Sequence, residues 1–212
     1  MTRLLMIRHG QSEANVLGFF AGWMDSPLTE IGMRQAELTA LYIAENYTVD
    51  AVYSSDLSRA AAVGKAVSER TGAPLHMRKS LREICGGGWE GKTFTEIEEM
   101  YPAYLVWRSD IGNAVCDGGE SVAQLQVRVV GAVVEIAENH PNQNVVITTH
   151  ATPIRVTQCY CDGNGLSKMK DIPWVSNTSI TELVYENGAF RIVSAGYDQH
   201  LGDHTSKLPA NV

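Results

Sequence analysis

The chain has 212 residues, of which 44% are hydrophobic, and a formal net charge of −7 at pH 7. This length and composition predict one domain with a substantial core. The acidic balance, with a pI of about 5.3, argues against a general affinity for nucleic acid. No stretch approaches the roughly 18 continuous apolar residues of a membrane-spanning helix.

The four cysteines show no CxxC spacing, which favours reduced thiols over a disulfide framework or a metal site. No charged-then-apolar leader is visible, so we do not expect export. Both observations predict a cytoplasmic protein. The cysteines are Cys85, Cys116, Cys159 and Cys161.

Six short segments are predicted to be strands, because they are apolar or β-branched and bounded by turn signals. The first is apolar without alternation, which is typical of a strand covered on both faces. Asn187 and Gly188 join the last two, and this dipeptide favours a tight hairpin turn. The predicted strands are 4–8, 51–54, 75–78, 145–149, 180–185 and 190–195.

Helices are predicted over 29–46 with Thr29 as N-cap, over 56–71, and over 122–138. Strands alternating with helices predict an α/β sandwich with a largely parallel sheet, to which the final hairpin adds antiparallel pairing. We expect one domain over 1–202 and a loose polar tail over 203–212.

Polar residues follow the ends of these elements. The first strand ends on Arg8 and His9, and the fourth is followed by His150. In open α/β sheets, ligands bind at the carboxyl ends of the strands. Pro153 is predicted to open a helix after His150, and the free N–H groups of a helix start suit an anion. Arg59 lies in the first turn of the helix that Ser55 or Asp56 is predicted to open.

Glu83, ahead of a glycine-rich loop, and Asn15 complete the set. Alone, each of His9, Arg59 and Glu83 is more often structural, and His150 is as often structural as functional. Their joint placement at the ends of elements favours a site. Arginine matches phosphate oxygens in a bidentate way, and neutral imidazole is a nucleophile at pH 7. A carboxylic acid can protonate a leaving oxygen and then activate water. The set therefore indicates phosphoryl transfer through a phosphohistidine.

No zinc-ligand spacing and no run of carboxylates appears in the sequence, so neither a metal nor a cofactor is predicted. His200 and His204 in HLGDH have i,i+4 spacing, but we do not expect them to bind a metal.

The motifs resemble the histidine phosphatase superfamily, in the branch that contains cofactor-dependent phosphoglycerate mutases and small-molecule phosphatases. The match covers most of the chain. It consists of RHGxSxxN at 8–15, GWxDxxLTExG at 22–32, SSDLSRA at 54–60, LxExxxGxWEG at 81–91 and GGES at 118–121, in that order.

The resemblance implies a single three-layer α/β/α sandwich with the site at the carboxyl edge of its sheet. It implies that His9 is the phosphorylated nucleophile and Glu83 the proton donor. The groups implied to hold the phosphoryl group are the side chains of Arg8, Asn15, Arg59 and His150 and the backbone N–H of Ala151. The family usually has glycine at position 151, and a positive φ there would strain alanine.

Departures from the mutase pattern fall in the predicted substrate pocket, which comprises Phe19, Ala21, Gly22 and Gly86. Mutases commonly have an arginine at the position of Phe19, a hydroxyl residue at that of Ala21 and a tyrosine at that of Gly86. Between Glu83 and Gly118 the only arginine is Arg108, where mutases have an adjacent pair.

These departures favour a phosphatase of small phosphomonoesters, such as a ribazole phosphatase or a broad-specificity enzyme. A mutase that uses the same phosphohistidine is the first alternative, and a non-catalytic phosphoester-binding module is the second. A small phosphate ester is the expected partner, with neither nucleic acid nor membrane. The sequence gives no signal for an oligomeric state.

Overall fold

The computed structural model describes residues 1–163 and 165–206. This part of the chain contains six strands and seven α-helices. The strands are β1 (Thr2–Arg8), β2 (Ala51–Ser54), β3 (Leu75–Met77), β4 (Asn144–Thr149), β5 (Ile180–Glu186) and β6 (Ala189–Tyr197). The helices are α1 (Glu13–Leu17), α2 (Glu30–Asn46), α3 (Ser58–Thr71), α4 (Phe94–Met100), α5 (Tyr104–Ser109), α6 (Val122–Asn139) and α7 (Ala151–Cys161). None of these helices has the length and apolarity needed to cross a bilayer.

All six strands belong to one sheet in the order β3-β2-β4-β1-β5-β6. The first four in this order pair in parallel, whereas β5 is antiparallel to β1 and to β6. The predicted fold class, an α/β sandwich with a mostly parallel sheet and an antiparallel terminal hairpin, is confirmed.

The central strand β1 is buried on both faces, as its unbroken apolar run predicts. Leu4 and Met6 belong to the apolar cluster that includes residues of α6 and α7. Leu5 and Ile7 belong to a second cluster with residues of α2 and α3. Because side chains alternate along a strand, the two clusters lie on opposite faces of the sheet and give the three-layer arrangement.

The bounds of the predicted strands and of α2 and α6 agree with the structure to within two residues. Helix α3 begins two residues after its predicted start, and neither predicted opening residue caps it. Leu57 is its N-cap residue and makes no side-chain capping bond. Ser55 and Asp56, the predicted openers, are engaged elsewhere: Ser55 bonds His150, and Asp56 accepts two hydrogen bonds from Arg82.

Helix α7 begins at Ala151, so Pro153 lies within its first turn rather than at its first position. A proline there loses nothing, because the first N–H groups of a helix have no intrahelical partner. The short helices α1, α4 and α5 were not predicted, since segments of five to seven residues carry too little periodicity.

The first residues of the predicted loose tail lie on the body of the domain. Gln35 of α2 donates through Nε2 to the carbonyl of His204 at 2.7 Å and to the hydroxyl of Ser206 at 2.6 Å. Ser206 is 9% exposed. Residues 207–212 of the predicted tail lie outside the described residues, so the domain boundary at 202 stays a prediction.

The sheet order brings the ends of the central strands together. Arg8 lies opposite Thr149 in the parallel pair β1–β4, so the residues that follow them, His9 and His150, emerge side by side. Ser54 at the end of β2 lies opposite Thr148 of β4. The loops and helix starts after β1, β2 and β4 therefore share one edge of the sheet.

Candidate active site

A cavity opens at this carboxyl edge and brings the predicted polar stretches together. Its lining combines charged and polar groups with aromatic and small side chains. The lining residues are Arg8, His9, Ser12, Ala14, Asn15, Phe19, Phe20, Ala21, Gly22, Arg59, Glu83, Phe94, Trp107, Ala151, Thr152 and Trp174.

His9 is held in one tautomer. Its Nδ1 lies 2.7 Å from the carbonyl oxygen of Gly10, and because a carbonyl only accepts, Nδ1 carries the hydrogen. The lone pair is therefore on Nε2. Burial, together with the charges of Arg59 and Arg8, holds the pKa of His9 well below its ordinary value of 6.5. The imidazole is consequently neutral and nucleophilic at pH 7.

Two buried arginines provide the positive charge of the site. Arg8 donates to the carbonyl of Val175 at 2.6 Å, and Arg59 donates to the carbonyls of Gly22 and Met24 at 2.8 and 3.1 Å. These bonds fix both guanidinium groups against the cavity wall. Burial lowers the pKa of Arg8 to about 10, which still leaves it protonated at neutral pH. An anion entering the cavity therefore meets two fixed cations in a dry environment, where charge interactions are strong.

His150 lies directly behind His9, with ring centroids 5.2 Å apart. Its Nε2 is 2.8 Å from the hydroxyl oxygen of Ser55, and its Nδ1 is buried without a hydrogen-bond partner among the described residues. The ring of His150 is fully buried, and His150 is not among the residues that line the cavity. Its predicted contact with phosphate therefore stays a prediction.

Asn15 and Ala151 lie at the starts of helices. The side-chain Oδ1 of Asn15 accepts from the backbone N–H of Ser12 and from Nδ2 of Asn177. These two bonds orient the side-chain amide of Asn15, which lines the cavity. Ala151 is the first residue of α7, and its φ is not positive. The strain that alanine would suffer there does not arise, and its N–H is one of the free donors of the helix start.

Glu83 reaches across to the start of α7. Its Oε1 accepts from the N–H of Ile84 at 2.8 Å, and its Oε2 accepts from the N–H of Thr152 at 3.4 Å. Burial raises the pKa of Glu83 above its ordinary value, although these bonds and the charge of Arg59 oppose the rise. This direction increases the protonated fraction, as a proton donor requires.

The predicted pocket residues differ in what they provide. Phe19, Ala21 and Gly22 line the cavity, but the prediction that Gly86 leaves room for a substrate is wrong. A Cβ at Gly86 would lie 2.7 Å from Cε1 of Phe20. The space beside this glycine is already filled by the phenylalanine ring, so Gly86 permits packing rather than substrate entry.

The aromatic residues of the cavity lining were not predicted from the sequence, apart from Phe19. Phe20, Phe94, Trp107 and Trp174 all line the cavity. The Phe20 ring meets Phe94 and Trp107 edge to face, and Trp174 is covered by the guanidinium of Arg155, 4.0 Å from its ring centroid. No local pattern marks these residues, because they come from four separate segments that meet only in the fold.

No three histidine, cysteine or acidic side chains gather as metal ligands within residues 1–163 and 165–206. His200, which the sequence pairs with His204, instead bonds the hydroxyl of Thr39 through Nε2 and stacks on Tyr42 and Tyr197.

Acid should destabilise the fold through its buried histidines. His9 and His150 have pKa values held well below 6.5 by burial, so below pH 6.5 the unfolded chain binds more protons than the folded one. Each histidine thus contributes stability that is present above pH 6.5 and is lost as pH falls, by up to about 1.4 kcal/mol per pH unit. Glu83, whose pKa is raised, acts in the opposite sense: its contribution is present at low pH and is lost as pH rises through its folded pKa.

Urea unfolding between pH 5 and 7 measures this slope. His150→Asn should make it shallower, whereas His76→Asn, at an exposed position on β3, should leave it unchanged. A slope that is identical in the wild type and the His150 variant would contradict the prediction.

A fixed neutral imidazole, two buried guanidinium groups and an acid of raised pKa define a site for phosphate esters. A sequence model of the histidine phosphatase superfamily (branch 1) matches residues 4–198, and the chain belongs to this family.

Relatives and solved structures agree with this assignment. Phosphoserine phosphatase 1 of Hydrogenobacter thermophilus is 31% identical over 204 residues, which cover 96% of each chain. The structure of Bacillus stearothermophilus YhfR is similar with a TM-score of 0.89 and 30% identity, covering 95% of this chain and all of that one. A mutant of Entamoeba histolytica phosphoserine phosphatase, solved with phosphoserine, is similar with a TM-score of 0.84 and 28% identity over 95% of this chain and all of that one. The predicted family and the predicted class, a phosphatase of small phosphate esters, are confirmed.

Proposed function

We propose that the protein hydrolyses small-molecule phosphomonoesters without a metal, through a phosphohistidine on His9. The observation that carries this proposal is the hydrogen bond from Nδ1 of His9 to the carbonyl of Gly10, which leaves the lone pair on Nε2 between two buried arginines. A histidine that served only to bind phosphate would have to present an N–H to it. The free lone pair instead supports nucleophilic attack.

The first half of the reaction forms a phosphorus–nitrogen bond. Nε2 of His9 attacks phosphorus, the ester oxygen leaves with its electron pair, and Glu83 gives that oxygen its proton. Arg8 and Arg59 stabilise charge on the non-reacting phosphoryl oxygens. The free N–H of Ala151 at the start of α7 adds a donor to the same oxygens.

The second half returns the enzyme to its starting state. Glu83, now a carboxylate, takes a proton from water, and the water oxygen attacks phosphorus while the bond to Nε2 breaks. Phosphate leaves, His9 is neutral again and Glu83 is protonated. Using one carboxyl group as acid and then as base requires a pKa above the ordinary carboxyl value, which burial supports.

The leaving group that suits this cavity is neutral or partly apolar. The cationic side chains among the described lining residues are Arg8 and Arg59, and both serve the phosphoryl group in the proposed reaction. A substrate carboxylate would be desolvated without a positive partner, which is costly. The aromatic rings that line the cavity offer apolar area instead, and each Å² of it that is buried contributes about 25 cal/mol.

Phosphoserine is the second candidate substrate, because a similar curated enzyme and a similar solved structure carry that name. A mutase activity has less support. Arg108, the only arginine between Glu83 and Gly118, is about half exposed and is paired with Glu98.

A panel of phosphate esters should rank neutral and aryl esters above 2- and 3-phosphoglycerate in kcat/KM by about tenfold or more, equivalent to ~1.4 kcal/mol. Activity should be unchanged by EDTA. Phe19→Arg should narrow the difference by adding a cation to the cavity wall. The conservative control Phe19→Leu, which keeps the position apolar, should preserve the ranking.

The panel also separates the alternatives. Phosphoserine as the best substrate would replace the proposed leaving-group class. Activity on phosphoglycerates that needs bisphosphoglycerate to start would establish the mutase. Loss of activity in EDTA, restored by a divalent ion, would overturn the metal-independent reaction.

Two further parts of the proposal concern the setting of the enzyme. We propose that the enzyme acts in the cytoplasm, where its four free thiols would stay reduced. We also treat residues 1–202 as the catalytic domain, with a small phosphate ester as partner and neither nucleic acid nor membrane.

A further inference from the structure

All five N–H donors of Arg128 on α6 are engaged, two by Glu120 and three by carbonyls of the segment that carries Glu83. Nε and one N–H of Nη2 bind the two carboxylate oxygens of Glu120 at 2.8 and 2.7 Å. The other N–H of Nη2 donates to the carbonyl of Glu83, and Nη1 donates to the carbonyls of Ser80 and Arg82, each at 3.0 Å. A planar guanidinium with every donor engaged is fixed in both position and orientation.

These bonds belong to an unbroken series of anchored carbonyls. Between the Arg128 contacts at residues 80 and 82, the carbonyl of Leu81 accepts from the hydroxyl of Thr149 on β4 at 2.7 Å. The carbonyl of Glu83 accepts a second bond, from the indole N–H of Trp23 at 2.8 Å. Four consecutive carbonyls that end at Glu83 are therefore tied to a helix, a strand and a loop.

Glu120 extends the same restraint beyond Glu83. Its Oε2 also accepts from the backbone N–H of Cys85 at 2.9 Å. One carboxylate thus binds the chain just after Glu83 and orients the arginine that binds the chain just before it. Both side chains are about 20% exposed, a partly dry setting in which bidentate arginine–carboxylate bonds are strong.

Trp23 covers this arrangement from the outside. Its ring lies 5.1 Å from the guanidinium carbon of Arg82 and 5.8 Å from that of Arg128, measured to the ring centroid. Trp23 therefore links the loop that contains Gly22, a lining residue of the cavity, to the backbone of Glu83. The cavity lining does not include Trp23, Arg82, Glu120 or Arg128. These residues are therefore not placed to contact a substrate.

We propose that Arg128 and Glu120 are positioning residues for Glu83, fixing the distance between its carboxyl group and the ester oxygen that leaves. The inference rests on the proposed function, in which Glu83 donates that proton. A misplacement of about 1 Å in a catalytic group can cost roughly 100-fold in rate. Loosening the segment should therefore affect the reactions that need the proton and spare those that do not.

The test compares two esters across matched variants. In Arg128→Lys and Glu120→Gln, kcat/KM for an alkyl phosphate should fall about 10- to 100-fold, while kcat/KM for p-nitrophenyl phosphate changes by less than about threefold. The ratio kcat/KM is compared because it reports the first half of the reaction, before Glu83 acts as a base. Inhibition by inorganic phosphate should change little, because neither residue lines the cavity. Arg78→Lys and Glu135→Gln, which alter an exposed ion pair, are the controls and should leave both rates unchanged.

Guanidinium ion gives a second readout. In Arg128→Ala it should restore the alkyl phosphatase rate in a saturable manner, whereas the same concentration of urea should not. If Arg128→Ala does not fold, Glu120→Gln decides the matter, since it keeps the size of the side chain and removes only its charge.

The outcomes separate this inference from the proposed function. Equal losses on both esters in the Arg128 and Glu120 variants, or no loss at all, would overturn the positioning role. If Glu83→Gln is selective for alkyl esters while these variants are not, the proposed function stands and the inference fails. If Glu83→Gln is itself unselective, Glu83 is not the proton donor and both fail together.

Discussion

Replacing His9 with alanine should reduce kcat/KM by about three decades or more, equivalent to roughly 4 kcal/mol of transition-state stabilisation. The variant lacks the Nε2 lone pair on which the proposed covalent intermediate forms. The fold should survive, because the backbone of His9 keeps its bonds: its N–H donates to Thr149, and its carbonyl accepts from Asn177. Circular dichroism and urea unfolding should therefore report a folded protein without activity.

Trapping the intermediate tests the same prediction directly. Rapid quenching of the wild type with phosphate-labelled substrate should leave label on the protein that is stable in base and labile in acid, as a phosphoramidate is. His76→Ala, which removes an exposed histidine of β3, should label and turn over like the wild type. Label that persists in His9→Ala would assign the nucleophile to another residue.

Residues of the site that belong to a local pattern could be predicted from the sequence. Arg8 ends a strand whose unbroken apolar run indicates burial on both faces, and His9 follows it. His150 follows the strand that pairs with it. Arg59 lies in the first turn of a helix and Glu83 just before a glycine-rich loop. In each case the position depends on the end of a regular element, which short-range periodicity and turn residues mark well.

Features that depend on contacts between distant segments could not be predicted. Gly86 suggests open space when read alone, but Phe20, 66 positions earlier, fills that space. Trp174 lies in an irregular segment and reaches the cavity under the guanidinium of Arg155. Ser206 carries no apolar signal, yet it is held by a buried glutamine of α2. Propensity and pattern are local quantities, and tertiary packing decides such cases.

The pKa values of the site illustrate the same division. The sequence indicates that His9 should be neutral and Glu83 protonated for the proposed reaction. Both directions arise chiefly from burial, and burial is produced by the complete fold. A single chemical requirement is therefore met by the packing of segments from the whole chain.

Glu83→Gln should lower kcat/KM for alkyl phosphates by about 100-fold or more and kcat/KM for p-nitrophenyl phosphate by less than about tenfold. The ratio kcat/KM reports the first half of the reaction, in which Glu83 acts as the acid. An alkoxide is a poor leaving group that needs a proton as the bond to phosphorus breaks, whereas nitrophenolate leaves without one. Glutamine has nearly the shape of the protonated acid and keeps a carbonyl oxygen that can accept from the N–H of Ile84. The site should therefore remain assembled while losing its transferable proton.

The pH dependence gives an independent signature. In the wild type, kcat/KM for alkyl esters should fall as pH rises through the pKa of Glu83, which burial places above the ordinary carboxyl value. Glu83→Gln has no proton to lose there, so its residual activity should lack that decline. Glu135→Gln, an exposed glutamate of α6, should match the wild type in both ester selectivity and pH profile. Equal losses on the two esters, with an unchanged pH profile, would mean that Glu83 only shapes the site and that another group supplies the proton.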